Sequence, residues 1–306
     1  MSSVSVTSYR ALSRVDMAAL RTGMDSLIDA ALSAGGRIDA VGGYARPVAT
    51  STAIALFGLP SVPPADVAAM TRVVFQYTFL DIPSRRAVVR RGEQGGALLR
   101  RWLGEEIDRR AAAGVPGVDL MGQLMQDGQL DREGVRRALG GMLVGAIDTT
   151  ATAVAKILKV MGRDRALQDQ AARAAHDGDN DALSGWCWEA LRRWPQTSLL
   201  SRVAAADTVL AGLKIPGGAR LVLLTEAAMN DPGAFPDPGR SLPDRQPGSY
   251  LHFGGGLHPC GGRSVNAFQI PSLVGGLLRR GPFTAGRIRW AGPFPDVLPI
   301  TWEGGR

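Results

Sequence analysis

The sequence predicts a mainly α-helical fold with a small β component, formed by one unit over residues 1–306, and three observations predict it. Apolar residues recur at helical spacing through the first two thirds of the chain. Residues that favour strands gather only past Pro195, in short runs. No internal repeat or shift in composition divides the chain. Taken in order, Asp16 to Leu32 places Met17, Leu20, Met24, Leu27, Ile28 and Ala31 on one helical face. Pro47 to Leu59 predicts a second helix, stopped at Gly58-Leu59-Pro60, and Ala65 to Phe79 a third. Pro83 to Gly96 is basic and glycine-containing and predicts a mobile connection before a helix over Ala97 to Ala113. After the break at Val115-Pro116-Gly117 come Asp119 to Met125 and then one very long helix from Asp131 to about Met161. Shorter helices follow at Ala166 to His176 and Ala182 to Trp194.

Leu199 to Leu213 and Arg220 to Leu224 predict strands, separated by the turn Ile215-Pro216-Gly217-Gly218. Residues 231–250 are rich in Pro, Gly and Asp and predict a long loop of the kind kept for function. The helix after Cys260 contains Pro271, which predicts a kink, and the C-terminus reads as small strands.

With 45% hydrophobic and 21% charged residues the chain reads as soluble and globular. The start of the chain has no signal-peptide pattern, and no run approaches the length of a membrane span, so a cytoplasmic protein is the simplest expectation. Two cysteines, Cys187 and Cys260, make no disulfide framework, and Cys187 between Trp186 and Trp188 reads as a small buried hydrophobe. The net charge of +7 is scattered, mostly as Arg, over helical segments. It reads as solvated faces or, in part, as a docking surface for an acidic redox partner. Basic and aromatic residues do not interleave, which gives nucleic-acid binding no support.

The chemistry concentrates in Phe253-Gly254-Gly255-Gly256-Leu257-His258-Pro259-Cys260-Gly261-Gly262. Glycines let this backbone turn tightly and lie close to a flat macrocycle. Cys260 precedes a helix whose free amides and dipole favour a thiolate, and a thiolate there is a ligand for heme iron. These residues resemble the heme-binding signature of the cytochrome P450 family, Phe-x-x-Gly-x-x-x-Cys-x-Gly, with a basic residue two before the cysteine. The resemblance implies the P450 fold, iron protoporphyrin IX (heme b), Cys260 as the metal ligand, and Phe253, Gly254, Gly256, Gly262 and His258 as cofactor contacts, His258 toward a propionate.

Gly145-Ala146-Ile147-Asp148-Thr149-Thr150 lies inside the predicted long helix; by itself Asp-Thr-Thr is also an ordinary cap or buried polar pair. The stretch resembles the family's oxygen-activation motif. That resemblance implies Thr149 orienting dioxygen, Asp148 helping to deliver protons, and close approach of heme at Gly145 and Ala146. Glu189-Ala190-Leu191-Arg192 resembles the family's Glu-x-x-Arg motif, and Pro243-Asp244-Arg245 its Pro-x-Arg element. Glu189, Arg192 and Arg245 would form a structural charge cluster. Arg202 resembles the arginine that pairs with a heme propionate, the alternative being a surface strand residue, and Leu199 and Leu200 would line the substrate side. His176 reads as solvent-facing, and His252 receives no role.

The resemblance begins late: the family's N-terminal strands and first helices have no counterpart, and Gln269 and Pro271 depart from the usual pattern after the cysteine. Three functions follow as expectations. The first is a monooxygenase that inserts one oxygen atom from O2 into a small apolar or amphipathic molecule, served by a ferredoxin/reductase-type donor, with another chain a candidate to complete the distal pocket. The second is a peroxide-dependent peroxygenase or a fatty-acid hydroperoxide isomerase beside a peroxidase-like partner. The third is a non-catalytic heme-binding or partner-binding protein.

Overall fold

Helical spacing in the sequence becomes twelve α-helices and nine short strands among the described residues of a computed structural model. The description covers residues 3–33, 36–81, 83–256 and 259–302, and omits the side chains of residues 3–6 and 247. The first predicted helix is α2 (Met17–Ala31), whose Asp16 carboxylate accepts from the Ala18 and Ala19 amides. α1 (Ser3–Leu12) precedes it. α3 (Arg46–Phe57) stops where expected, with Gly58 left-handed at φ 72°. α4 (Pro64–Phe75) runs into a π-helical turn over Gln76–Leu80.

The expected mobile connection is not there: from Arg86 the chain is helical, in one 28-residue helix, α5 (Arg86–Ala113). Its glycines, which suggested flexibility, are points of close approach instead. A Cβ on Gly92 would lie 2.3 Å from Tyr77, and one on Gly95 2.6 Å from Val73, so their absence lets α4 and its π-helical turn press onto α5. α6 (Leu120–Asp127) follows.

The single long helix is also corrected. It is two, α7 (Arg132–Val144) and α8 (Asp148–Met161), separated at 145–147. The Gly145 and Ala146 amides tighten onto the Met142 and Leu143 carbonyls, at 3.1 Å each. Hydroxyls then take over from the lost ladder: Thr149 donates to the Gly145 carbonyl and Thr150 to that of Ala146, the latter at 2.9 Å. The 132–161 segment is long and apolar enough by composition to cross a membrane, but 61% of its most apolar window is buried inside the protein.

α9 (Arg165–Asp177) and α10 (Asn180–Arg193) fall where predicted. Beyond them, β2 (Leu200–Val203) pairs antiparallel with β5 (Arg220–Leu223), and β3 (Thr208–Leu210) with β4 (Leu213–Ile215). α11 (Thr225–Ala228) leads into the irregular 231–250 segment. α12 (Arg263–Leu278) carries Pro271 in its interior and continues past it. The C-terminal strands are β6 (Phe283–Ala285), β7 (Arg289–Ala291), β8 (Phe294–Val297) and β9 (Pro299–Trp302). Unforeseen was β1 (Arg37–Asp39), too short to show a pattern, which completes a three-stranded sheet in the order β1-β9-β6.

The apolar faces bury in two cores. One gathers α2, α8, α9, α10, α12 and the terminal strands, with Ile157, Leu273, Val274 and Ile300 fully closed to solvent. The other gathers α1, α3, α5, α6 and α7 around Leu120, Leu124, Leu139 and Leu143. Cys187 is buried in the first core, as its tryptophan-flanked position suggested, and burial pushes its thiol far above the ordinary range.

Candidate active site

Between the two cores lies a cavity of about 450 Å³, walled by Leu56 and Phe57 of one core and by Leu191 and Ile270 of the other. That volume falls in the range of cofactor pockets. One wall is the 253–266 segment, where Phe253, Cys260, Gly261, Gly262 and Asn266 face the space. Gly254 (φ 64°) and Gly256 (φ 70°) are both left-handed, the conformation for which glycine is suited. The Cys260 amide closes the turn on the Phe253 carbonyl at 2.8 Å. Phe253 is seated edge-on against Trp188, centroids 5.5 Å apart, and Tyr9 of α1 donates to the Pro259 carbonyl at 2.6 Å. His258 lies outside the described residues.

The opposing wall is the α7–α8 break. Gly145, Ala146, Thr149 and Thr150 line the cavity, so the predicted small-residue and hydroxyl positions do face Cys260 across one space. Asp148 does not join them. Its carboxylate is buried on another side of α8, with Arg72 Nη2 at 2.7 Å and Arg46 Nε at 3.2 Å. Both arginines reach on to Asp296, at 3.4 and 3.3 Å. Burial by itself would lower the Arg72 guanidinium, but its bonds to Asp148 and Asp296 overcome that and hold it above its usual value. Asp148 is thus charge-compensated, at the first residue of α8.

Arg202 is likewise not at the cavity: it is exposed on β2 and donates to the Ser201 carbonyl at 2.8 Å. Leu199 and Leu200 do not line the cavity either, and Leu199 is 49% exposed. The expectation that the helix end alone favours a Cys260 thiolate also needs correction. Burial against the cavity walls raises the thiol more than the Gly262 amide lowers it.

The structural cluster forms as its motifs implied. Arg192 grips Glu189 through Nε at 2.9 Å and Nη2 at 3.0 Å, both side chains fully buried, and Arg245 Nε approaches the same carboxylate at 3.3 Å. Sequence reasoning missed Tyr250, which donates to Glu189 at 2.8 Å, and the Leu242 amide, which donates at 3.0 Å. Burial pushes Glu189 up, but these donors outweigh it and hold its carboxyl below the usual range. The cluster ties α10 to the irregular segment leading to Cys260. His252, without a role in the sequence, stacks on Tyr250 at 4.9 Å and binds the Trp188 carbonyl through Nε2 at 2.9 Å. Burial pushes it down to about 4 and keeps it neutral. His176 is exposed, as expected.

The donor set suits heme. Cys260 is the one thiol in the lining, and among the described residues no group of three His, Cys, Asp or Glu is placed to hold a bare ion. An iron held by one sulfur must draw its other ligands from a macrocycle, and the walls above and below the cavity carry glycine, alanine and small hydroxyl residues where a flat ring would lie.

A family model for cytochrome P450 matches residues 105–280. The chain belongs to the cytochrome P450 family. This P450 is similar to the monooxygenase PikC of Streptomyces venezuelae, with 31% identity over 302 residues that span 92% of this chain and 68% of the relative. It is also similar to biflaviolin synthase CYP158A1 of Streptomyces coelicolor, with 28% identity over 294 residues, 91% of this chain and 68% of the relative. Among solved structures, P450BioI in complex with an acyl carrier protein bearing hexadec-9Z-enoic acid shares the fold at a TM-score of 0.83 and 21% identity, over 97% of this chain and 78% of that one. Ligand-free CYP164A2 of Mycobacterium smegmatis does so at 0.83 and 23% identity, over 97% and 78%. This P450 is an oxidoreductase of the monooxygenase kind, with the mainly α fold and small β component of its family.

Proposed function

We propose that this P450 inserts one oxygen atom from O2 into a small apolar or amphipathic molecule. The whole chain serves as one heme b domain in the cytoplasm and takes electrons from a ferredoxin/reductase-type donor. The observation that carries the reading is the confrontation of Cys260 with Thr149 across a single cavity. Cys260 would hold the iron, with Phe253, Gly261 and Gly262 shaping its side of the ring, while Gly254 and Gly256, which do not line the cavity, turn the loop. Bound heme supplies dioxygen activation and the oxidising power.

The remaining work belongs to this chain's own side chains. Thr149 donates its hydroxyl to the Gly145 carbonyl, so in the cavity its oxygen would serve as an acceptor. Asp148 holds the start of α8 against Arg46 and Arg72, so that Thr149 keeps its place. Phe57, Phe75, Ala153 and Phe79 give an apolar surface that binds substrate by excluding water from it. Phe79 is 60% exposed at the mouth, a position that another chain completing the distal side would cover.

That open mouth also favours a second reading, peroxide-dependent oxygenation, which needs no electron donor. Thr149→Ala separates the two. Under the first, product formed per reductant consumed falls, because a positioned proton-handling group is lost. Unchanged coupling, with turnover sustained by added peroxide alone, would favour the second.

A further inference from the structure

Beside the cavity that Cys260 and Thr149 share lies a second one, of about 360 Å³, in the crevice where α4, α5 and α7 meet. Leu99 and Leu103 of α5 and Val144 of α7, all buried, give it an apolar floor. Arg100 and Arg137, both exposed, and the more enclosed Arg136 give it a basic rim. Among the described residues, no Asp or Glu lines it.

The two cavities adjoin, because Phe79 and Gly141 line both. Phe79 packs against Phe75 of the larger cavity, with ring centroids 4.9 Å apart. Gly141 has no side chain to divide the spaces, and a Cβ there would meet no atom within 4 Å.

The charges of the rim do not cancel. Arg136 grips Glu133 through Nε at 2.7 Å and through Nη2, and Arg137 Nε reaches the same carboxylate at 2.8 Å. The two guanidiniums push the Glu133 carboxyl down to about 2, so it stays ionised and offsets one of them. Arg136 Nη1 engages no group among the described residues. Arg100 has no ion-pair partner there either, since the next acid along α5, Glu105, faces Arg101 at 3.7 Å. Three guanidiniums thus meet one carboxylate at the edge of an apolar space. Guanidinium forks match the oxygens of carboxylates and phosphates, and the floor beneath them suits hydrocarbon.

We propose that this crevice binds the oxyanion end, carboxylate or phosphate, of an amphipathic substrate, with Arg100 and Arg136 holding the head while the apolar body passes Phe79 and Gly141 into the cavity of Cys260. The proposal narrows the substrate class and rests on that cavity as the place of oxidation.

The test is calorimetric titration of the heme-loaded protein with dodecanoate, dodecyl phosphate and dodecanol, with the Soret band of the ferric form followed in parallel. At least one anion should bind about tenfold more tightly than dodecanol, the order of one hydrogen bond to a charged group, and the preferred anion tells carboxylate from phosphate. That anion should also shift the Soret band toward high spin as its tail reaches the iron. Arg100→Gln, at an exposed side chain, should remove most of the preference and leave dodecanol unchanged. Glu133→Gln, which frees Arg136 and Arg137, should tighten the anion instead. Dodecanol binding as tightly as both anions, a preference unchanged by Arg100→Gln, or anion binding without a spectral shift would overturn the proposal. Wild type without a thiolate-type carbon monoxide spectrum would remove the reading of Cys260 itself; the heat of anion binding measures the crevice separately.

Discussion

Behind the Cys260 wall, Glu189 is held by Arg192 and Arg245, with side-chain exposures of 0%, 0% and 9%. Behind the Thr149 wall, Asp148 is held by Arg46 and Arg72, and the network runs out to Asp296, whose side chain is 45% exposed. Each cluster centres on one buried carboxylate held by two guanidiniums, in opposite surroundings. The first is sealed, and its other donors come from the backbone and from Tyr250. The second opens to water on one side. Sealing suits the wall that must present one sulfur at one position; contact with solvent suits the wall where α7 and α8 part and where protons must arrive under the proposed function.

The comparison breaks most readily at the sealed cluster. Arg192→Met leaves Glu189 buried without its bidentate partner and should cost about 3–5 kcal/mol in urea unfolding, with loss of bound heme. A comparable stability to wild type would show that the two clusters are equivalent after all. At the open cluster, Asp148→Asn should cost less, about 2 kcal/mol, because Asp296 remains to compensate both arginines. Its larger effect should be on coupling of reductant to product, measured beside Thr149→Ala.

Acid sharpens the difference further. His252 lines the cavity beside Phe253, with its folded value near 4 against the ordinary 6.5. The unfolded chain therefore binds the proton first, so this contribution to stability is present above about pH 6.5 and is lost as pH falls through 4. His252→Phe should flatten the decline in urea midpoint between those values. The pH dependence due to Lys156, on α8, is confined to alkali; its ammonium donates to the Pro195 and Gln196 carbonyls at 2.5 and 3.2 Å. Burial pushes it down to about 8 from 10.5, with Glu226 opposing. Between those values the unfolded chain holds more protons, so stability should rise with pH from 8 to 10.5, at most about 1.4 kcal/mol per pH unit. Lys156→Met should remove that rise.

Much of this was legible in the sequence where the signal is local. The Cys260 loop, the small-residue stretch at 145–150 and the Glu-x-x-Arg turn each lie within ten residues; residues of the first two line one cavity, and the third forms the buried Glu189–Arg192 pair. What was not legible depends on distant partners. Gly92 and Gly95 read as flexibility because Tyr77 and Val73, which fill their missing side chains, belong to another element. The 145–147 break was hidden because Thr149 and Thr150 are ordinary helix residues, and their bonds to the Gly145 and Ala146 carbonyls leave no mark in the sequence. Asp148 was read toward the cavity because Arg46 and Arg72, which turn its carboxylate aside, lie 102 and 76 residues earlier.

The account turns on Cys260 as the iron ligand, and the most direct measurement is the carbon monoxide difference spectrum of reduced wild type beside Cys260→Ser. Wild type should hold one heme per chain and show the strongly red-shifted Soret band of thiolate ligation, and the serine variant should lose that band. A wild-type spectrum of histidine type, or a serine variant with the band intact, would contradict it.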